Sequence, residues 1–162
     1  MSTQVPIEFM LNGRATRVDV GADMSALTML REKLDLTGAK LACGEGECGA
    51  CTILVDDLTV NACLMFAVDC DGREIRTIEG LRTDDGLDPM QQAFVDHGAI
   101  QCGYCMPGMI MQAKHLVQKY PGATREEIRR NLEGNICRCT GYRKVVDAVA
   151  DIVGTQTGKK AS

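Results

Sequence analysis

Residues 43–51 read Cys43-Gly44-Glu45-Gly46-Glu47-Cys48-Gly49-Ala50-Cys51, and a fourth cysteine, Cys63, follows at a spacing of C-x4-C-x2-C-x11-C. The glycines let the backbone bend tightly and bring its N–H groups close to the sulfur atoms, which stabilises negative charge there. A two-iron cluster needs four thiolates around a compact anionic core. One tight loop and one adjacent strand could supply them.

This spacing is typical of plant-type [2Fe–2S] ferredoxins. The alternative is a structural zinc site with four cysteines. Zinc ribbons usually pair two C-x2-C knuckles, so a gap of four residues beside a glycine-rich loop fits them poorly. The spacing therefore favours a [2Fe–2S] cluster held by Cys43, Cys48, Cys51 and Cys63.

A second group of four cysteines has a different spacing, C-x2-C-x31-C-x-C, and consists of Cys102, Cys105, Cys137 and Cys139. The unequal spacings indicate two different sites and not a repeat. Zinc remains an alternative for this group on spacing alone. A Rieske centre does not fit, because His97 and His115 have no Cys-x-His spacing. The ninth cysteine, Cys70, matches neither group and is interpreted as an ordinary thiol near the Asp71-Gly72 turn.

Composition narrows the class of protein. The chain has 162 residues, of which 45% are hydrophobic, and a formal net charge of −4. This charge argues against nucleic acid as a partner, and the apolar runs are too short to span a membrane. The first residues resemble no export signal, so we expect a cytoplasmic protein, in which nine cysteines indicate metal or redox chemistry and not disulfides.

The first half of the chain is predicted to be rich in strands. Strands are expected over 7–11 and 16–20, joined by an Asn12-Gly13 hairpin turn, and further strands over 52–55, 59–60 and 75–78. Apolar residues at helical spacing predict one helix over 26–34, capped by Ser25 or Asp23. The polar residues 83–86 are interpreted as the link to the second half.

The second half is predicted to be a small helical bundle, with a segment over 90–95 and two or three further helices. Pro107 suits the first turn of a helix whose apolar stripe runs from Met109 to Tyr120. Residues 124–127 read as a capping box, Gly134 is a candidate helix end, and residues 145–153 form the last apolar stripe.

Several stretches together resemble the small iron–sulfur subunit of the xanthine oxidase family of molybdenum hydroxylases. They span almost the whole chain and read Thr37-Gly38-Ala39-Lys40, Cys43 to Thr52, Gln101-Cys102-Gly103-Tyr104-Cys105, Pro107-Gly108-Met109, and Gly134-Asn135-Ile136-Cys137-Arg138-Cys139-Thr140-Gly141-Tyr142. Met106 departs from the pattern, where relatives often carry Thr or Ser, but it occupies no ligand position.

The resemblance implies an α+β protein with two domains. A β-grasp, plant-type ferredoxin-like domain would occupy residues 1–82, and an all-α four-helix-bundle domain would occupy residues 83–162. Each would hold one [2Fe–2S] cluster, the second through Cys102, Cys105, Cys137 and Cys139. Gln101 and Cys139 would also contact the molybdopterin, although Gln101 could instead cap the following helix.

The resemblance also implies partners. A large subunit would bind molybdopterin and a medium subunit FAD, with a dimer of heterotrimers as the expected assembly. Electrons would pass from molybdenum through the second cluster, then the first, to FAD. The expected substrate is an aldehyde or an N-heteroaromatic compound.

No residue of this chain is predicted to be catalytic, because it contains no His–carboxylate or Ser/His constellation. The glycines at 44, 46 and 49 fit G-x-G-x-x-G only superficially, since a strand and not a helix follows them. Two alternatives stay open, namely a free-standing carrier with two clusters and a zinc-binding structural module.

Overall fold

The computed structural model of the chain describes residues 4–160, and describes side chains for residues 4–155. Within that part of the chain, no helix is both long and apolar enough to cross a membrane. An N-terminal domain built on a mixed sheet packs against a C-terminal helical domain, so the α+β class is confirmed.

The N-terminal hairpin is confirmed. Strand β1 (Gln4–Leu11) pairs antiparallel with β2 (Arg14–Gly21) around Asn12 and Gly13, which have φ of 51° and 78°. Positive φ at both central residues is the geometry that an Asn-Gly turn accommodates without strain. Alternation along β1 then turns Ile7 and Phe9 toward the core, where both are buried.

The predicted helix over 26–34 is present but is not a regular α-helix. Its α-helical part, α1 (Ala26–Thr28), is capped by Ser25, whose hydroxyl accepts a hydrogen bond from the Thr28 N–H at 3.1 Å. The chain continues as a π-helical turn over Met29–Lys33, which the Leu34 N–H closes by donating to the Met29 carbonyl.

Three further strands complete the sheet, namely β3 (Thr52–Val55), β4 (Leu58–Asn61) and β5 (Glu74–Arg76). The sheet order is β2-β1-β5-β3-β4, in which only β1 and β5 run parallel. The strand predicted over 75–78 extends too far. The observed strand β5 ends at Arg76, because the Thr77 N–H donates to the side chain of Asn12 at 2.9 Å and a 3-10 turn over Ile78–Leu81 follows.

Strand β3 is buried on both faces. Ile53 and Val55 belong to the core of the first domain, whereas Leu54, which points the opposite way, belongs to the core of the helical domain. The two cores therefore meet at this strand, which carries the chain directly away from the cysteine loop.

The second domain contains α2 (Pro89–Asp96), α3 (Met106–Lys119), α4 (Arg125–Asn131) and α5 (Arg143–Lys160). Helix α5 packs against the other three, and α3 also contacts α2 and α4. The core between them includes Phe94, Met109 and Leu116, each fully buried. Burial of each such side chain contributes about 1.5–3 kcal/mol of hydrophobic stabilisation.

The ends of these helices confirm some predictions and correct others. The capping box at Thr124 is confirmed, and Glu127 closes it by accepting from the Thr124 N–H. Gly134 does not end α4, because Leu132 is already the C-terminal cap. The inclusion of Tyr120 in the apolar stripe of α3 was wrong. Tyr120 is the residue that caps the helix and is 47% exposed.

Candidate iron–sulfur sites

The first group of cysteines, called here the first site, lies at one end of the β3–β4 hairpin. Three of its members precede β3, and Cys63 follows β4. Because Thr52 pairs with Asn61 across the hairpin, the residues just outside this pair are brought together, and the Ala62 N–H donates to the Cys51 carbonyl. Sheet register therefore explains how a cysteine distant in sequence completes the site.

The thiols of the first site lie in two pairs. Cys43 is a hydrogen-bonding neighbour of Cys48, and Cys51 is one of Cys63. The loop turns through left-handed conformations at its glycines, with φ of 71° at Gly44. An L-residue adopts this conformation only at a cost, which is the physical reason for glycine here.

Backbone N–H groups of the loop point at its sulfur atoms. The Glu45 N–H lies 3.4 Å from the Sγ of Cys43, and with the backbone N–H of Cys48 it lowers the pKa of the Cys43 thiol to about 6. Cys51 behaves oppositely, because burial raises the pKa of its thiol to about 12. Iron would have to displace that proton, as coordination of a thiol to a metal does.

The second group, called here the second site, lies where two interhelical loops meet. Cys102 and Cys105 precede α3, and Cys137 and Cys139 lie between α4 and α5. The Sγ atoms of Cys102 and Cys139 are 3.6 Å apart, and the thiol of Cys105 is a hydrogen-bonding neighbour of Cys137. These thiols also lie in two pairs.

Thr140 and Tyr142 shape the loop of the second site, although no role was predicted for either from the sequence. Thr140 directs its hydroxyl at the Sγ of Cys137 at 3.1 Å. The Tyr142 hydroxyl accepts from the Cys137 N–H at 2.7 Å and donates to the Asn135 carbonyl at 3.1 Å. Both residues belong to the stretch 134–142 that carries the family resemblance. Their hydrogen bonds form only in the folded loop, so the sequence did not indicate them.

Burial and hydrogen bonding set the thiol pKa values of the second site in opposite directions. Burial raises the pKa of Cys105 to about 12. Burial also acts to raise the pKa of Cys137, but hydrogen bonds from Thr140, with smaller contributions from Cys139 and Cys105, together lower this pKa. A hydrogen bond with Cys102 is the main cause that raises the pKa of Cys139.

The paired arrangement fits a binuclear cluster at each site. The hydrogen-bonding neighbours described above are Cys43 with Cys48, Cys51 with Cys63, Cys105 with Cys137, and Cys102 with Cys139. Four cysteine thiolates shared between two irons is the ligand set of a [2Fe–2S] cluster.

Two other predicted residues lie at opposite extremes of exposure. Gln101 is exposed, as are Cys102 and Cys139. Gln101 does not cap the following helix, because the N-cap position of α3 is occupied by Cys105, whose side chain makes no capping hydrogen bond. Cys70 is fully buried in the core of the first domain, and burial raises the pKa of its thiol to about 11.

Two family models match the chain. The one described as "2Fe-2S iron-sulfur cluster binding domain" covers residues 9–77, and the one described as "[2Fe-2S] binding domain" covers residues 77–150. Together, the fold, the thiol pairs and these matches define a two-domain protein that binds two [2Fe–2S] clusters.

Relatives define the family. The nicotine 6-hydroxylase small subunit of Paenarthrobacter nicotinovorans is 47% identical over 98% of this chain and 95% of its own length. The nicotinate dehydrogenase small FeS subunit of Eubacterium barkeri is 44% identical over 90% of this chain and 93% of its own. A chain of quinoline 2-oxidoreductase from Pseudomonas putida 86 superposes with a TM-score of 0.93 at 37% identity, covering 96% of this chain and 98% of that one. The chain belongs to the iron–sulfur small subunits of the xanthine oxidase family of molybdenum hydroxylases, which are oxidoreductases.

Proposed function

We propose that this chain is the electron-transfer subunit of a hydroxylase or dehydrogenase that contains molybdenum and FAD. The observation that carries the proposal is the division of eight cysteines into two sites of paired thiols whose loops contact each other. When bound, the clusters supply one-electron chemistry between molybdopterin in a large subunit, on the side of the second site, and FAD in a medium subunit, on the side of the first. The substrate is bound by the large subunit, so no residue here is catalytic.

We assign the ligands of the two clusters as the two cysteine groups. The first cluster is held by Cys43, Cys48, Cys51 and Cys63, and the second by Cys102, Cys105, Cys137 and Cys139. Gln101 and Cys139 are the proposed molybdopterin contacts. Their exposure on the outer side of the second site supports this role, since a cofactor in another subunit must reach them from outside.

Exposed apolar residues beside both sites favour permanent partners over a free-standing carrier. Six such residues lie within three sequence positions of a proposed ligand and are 40–58% exposed, namely Leu41, Leu64, Phe66, Ile100, Tyr104 and Ile136. Exposed apolar surface of this kind beside a functional site supports contact with a partner protein. The proposed partners are the large and medium subunits, assembled as a dimer of heterotrimers.

The domain organisation is proposed in the same terms. The sheet with one parallel strand pair supports a β-grasp fold for residues 1–82, and the mutual packing of α2–α5 supports a four-helix bundle for residues 83–162. The short turn that joins Thr83 to Gly86 lies at this proposed boundary.

The substrate of the complex is proposed to be an N-heteroaromatic compound, with an aldehyde as the alternative. The names of the nicotine, nicotinate and quinoline enzymes among the relatives support the first choice. We place the complex in the cytoplasm, because eight thiol ligands require a compartment that keeps them reduced.

Anaerobic purification with native partners tests the proposal. We expect about four irons per chain, two per cluster, two distinct EPR signals on reduction, and molybdenum and flavin in the same complex. Cys48→Ser should remove only one signal and Cys137→Ser only the other, while Cys70→Ser, the matched control, should keep both. Colourless protein containing zinc would exclude the clusters. Two clusters in a chain that purifies alone, without molybdenum, would instead identify a free-standing carrier.

A further inference from the structure

We propose that Asn135 is a positioning residue that holds the two cluster loops at a fixed separation and thereby sets the electronic coupling between the clusters. This inference rests on the proposed function, since it requires that both sites carry [2Fe–2S] clusters. Asn135 has no assigned role as a ligand. It lies two residues before Cys137, and it is one of few polar residues buried in the described chain, with 3% of its surface exposed.

The side chain of Asn135 reaches from the second domain into the loop of the first site. Its Nδ2 donates to the Gly49 carbonyl at 2.9 Å and lies 3.3 Å from the Oγ1 of Thr52. Gly49 follows Cys48 directly, so the asparagine is bonded to the backbone between two proposed ligands. A carbonyl only accepts hydrogen bonds, and this requires a donor at position 135.

The backbone continues the same connection. The Ile136 N–H donates to the Cys48 carbonyl at 2.9 Å, next to the bond made by Asn135. Consecutive donors of the second domain thus meet consecutive carbonyls of the first. One hydrogen bond therefore lies between a ligand of the first site, Cys48, and the residue that precedes Cys137, a ligand of the second.

Glycines set how closely the two domains approach at this point. A Cβ on Gly108 would lie 2.1 Å from the Gly49 carbonyl oxygen, and a Cβ on Gly49 would lie 2.3 Å from the Gly134 carbonyl oxygen. Backbone therefore contacts backbone without an intervening side chain. These contacts limit how close the loops can come, and the bonds of the Asn135 side chain act with the Ile136 N–H to oppose their moving apart.

Loss of the Asn135 side chain should leave each site intact. The Gly49 carbonyl would still accept from Thr52, whose N–H and hydroxyl lie at 3.1 and 2.7 Å. The Tyr142 hydroxyl would still donate to the backbone carbonyl of residue 135. The effect should therefore fall on the separation of the clusters and not on their assembly.

The test uses the complete complex, purified anaerobically, with Asn135→Ala and Asn135→Asp. Aspartate has nearly the same shape but presents an acceptor to the Gly49 carbonyl. We expect unchanged iron content and unchanged signals of each cluster when reduced singly. The spin–spin splitting in the fully reduced protein should shrink, and electron transfer between the clusters should slow. Asn131→Ala is the matched control, because the side chain of that asparagine donates within α4, to the Glu127 carbonyl.

A second variant approaches the same separation from the opposite side. Gly108→Ala places a methyl group against the Gly49 carbonyl, so the domains must move apart, and the splitting should again shrink with both clusters present. Wild-type splitting in the Asn135 variants, with both clusters bound, overturns the inference. Loss of either cluster in the Asn135 variants also overturns it, because the residue would then support assembly. Absence of iron from the wild-type complex would instead contradict the proposed function.

Discussion

Replacing Tyr142 by phenylalanine removes the single oxygen atom that joins two backbone groups of the second site. In the wild type this hydroxyl accepts from the Cys137 N–H at 2.7 Å and donates to the Asn135 carbonyl at 3.1 Å. Phenylalanine retains the ring and its packing against the helical core. The substitution therefore isolates the two hydrogen bonds.

The expected cost follows from the environment of these groups. The Cys137 N–H is partly buried and loses the partner described above, which costs about 1–3 kcal/mol. A cost of about 2 kcal/mol lowers the melting temperature by about 4–8 °C for a chain of this size. It also raises the population of the open loop about 30-fold.

Two measurements test this prediction on the anaerobically purified complex, namely thermal unfolding and the rate at which a chelator removes iron. We expect Tyr142→Phe to lose the second cluster faster, with the signal of the first cluster unaffected. Tyr120→Phe is the control, because Tyr120 is exposed and its ring, which Lys119 approaches at 5.6 Å, is retained. Equal melting temperatures and equal rates of iron loss for the two variants would refute the reasoning.

Three further predictions concern two contacts at the sites and the N-terminal cap of α4. Thr140→Val removes the hydroxyl that lies 3.1 Å from the Cys137 sulfur. Because such hydrogen bonds stabilise the more negative reduced cluster, the reduction potential of the second cluster should fall. A redox titration that finds this potential unchanged or raised contradicts the prediction. Asn61→Ala removes a 2.6 Å hydrogen bond to the Gly46 carbonyl, which contributes about 1 kcal/mol to the stability of the loop. A chelator should therefore remove the first cluster faster. Loss of that cluster at the wild-type rate would show that Asn61 does not stabilise the loop. Hydrogen bonds from Thr124 hold the pKa of Glu127 below its usual 4.5, so the cap stabilises the fold above that pH and loses this contribution as pH falls through the folded value. Glu127→Gln should flatten this acid dependence of the melting temperature, and an unchanged pH profile would disprove it.

Local features of the fold were predictable from the sequence because they depend on neighbouring residues. The Asn12-Gly13 turn, the Ser25 cap and the Thr124 capping box each act within a few positions of the chain. The π-helical turn that begins at Met29 was not predictable, since apolar periodicity does not distinguish a bond to the fourth residue from one to the fifth. The early end of β5 depends on Asn12, which lies far away in sequence.

The candidate sites divide in the same way. Spacing grouped Cys43, Cys48, Cys51 and Cys63 without a structure, because a loop and a hairpin bring them together over a short length of chain. The pairing of thiols within each group required coordinates. The role of Asn135 also did, because its acceptor, the Gly49 carbonyl, is 86 positions away in the sequence and has no side chain to indicate a partner.

Strand β3 has a consequence for how the chain folds and how it can be divided. Because Leu54 completes the helical core while Ile53 and Val55 complete the other, neither half can bury its apolar surface without the other. A nick in the 83–86 turn should therefore leave the fragments associated, and expression of residues 83–162 alone should expose the surface that Leu54 covers. Unfolding should be one cooperative transition, so that damage to either iron site lowers the stability of the whole subunit.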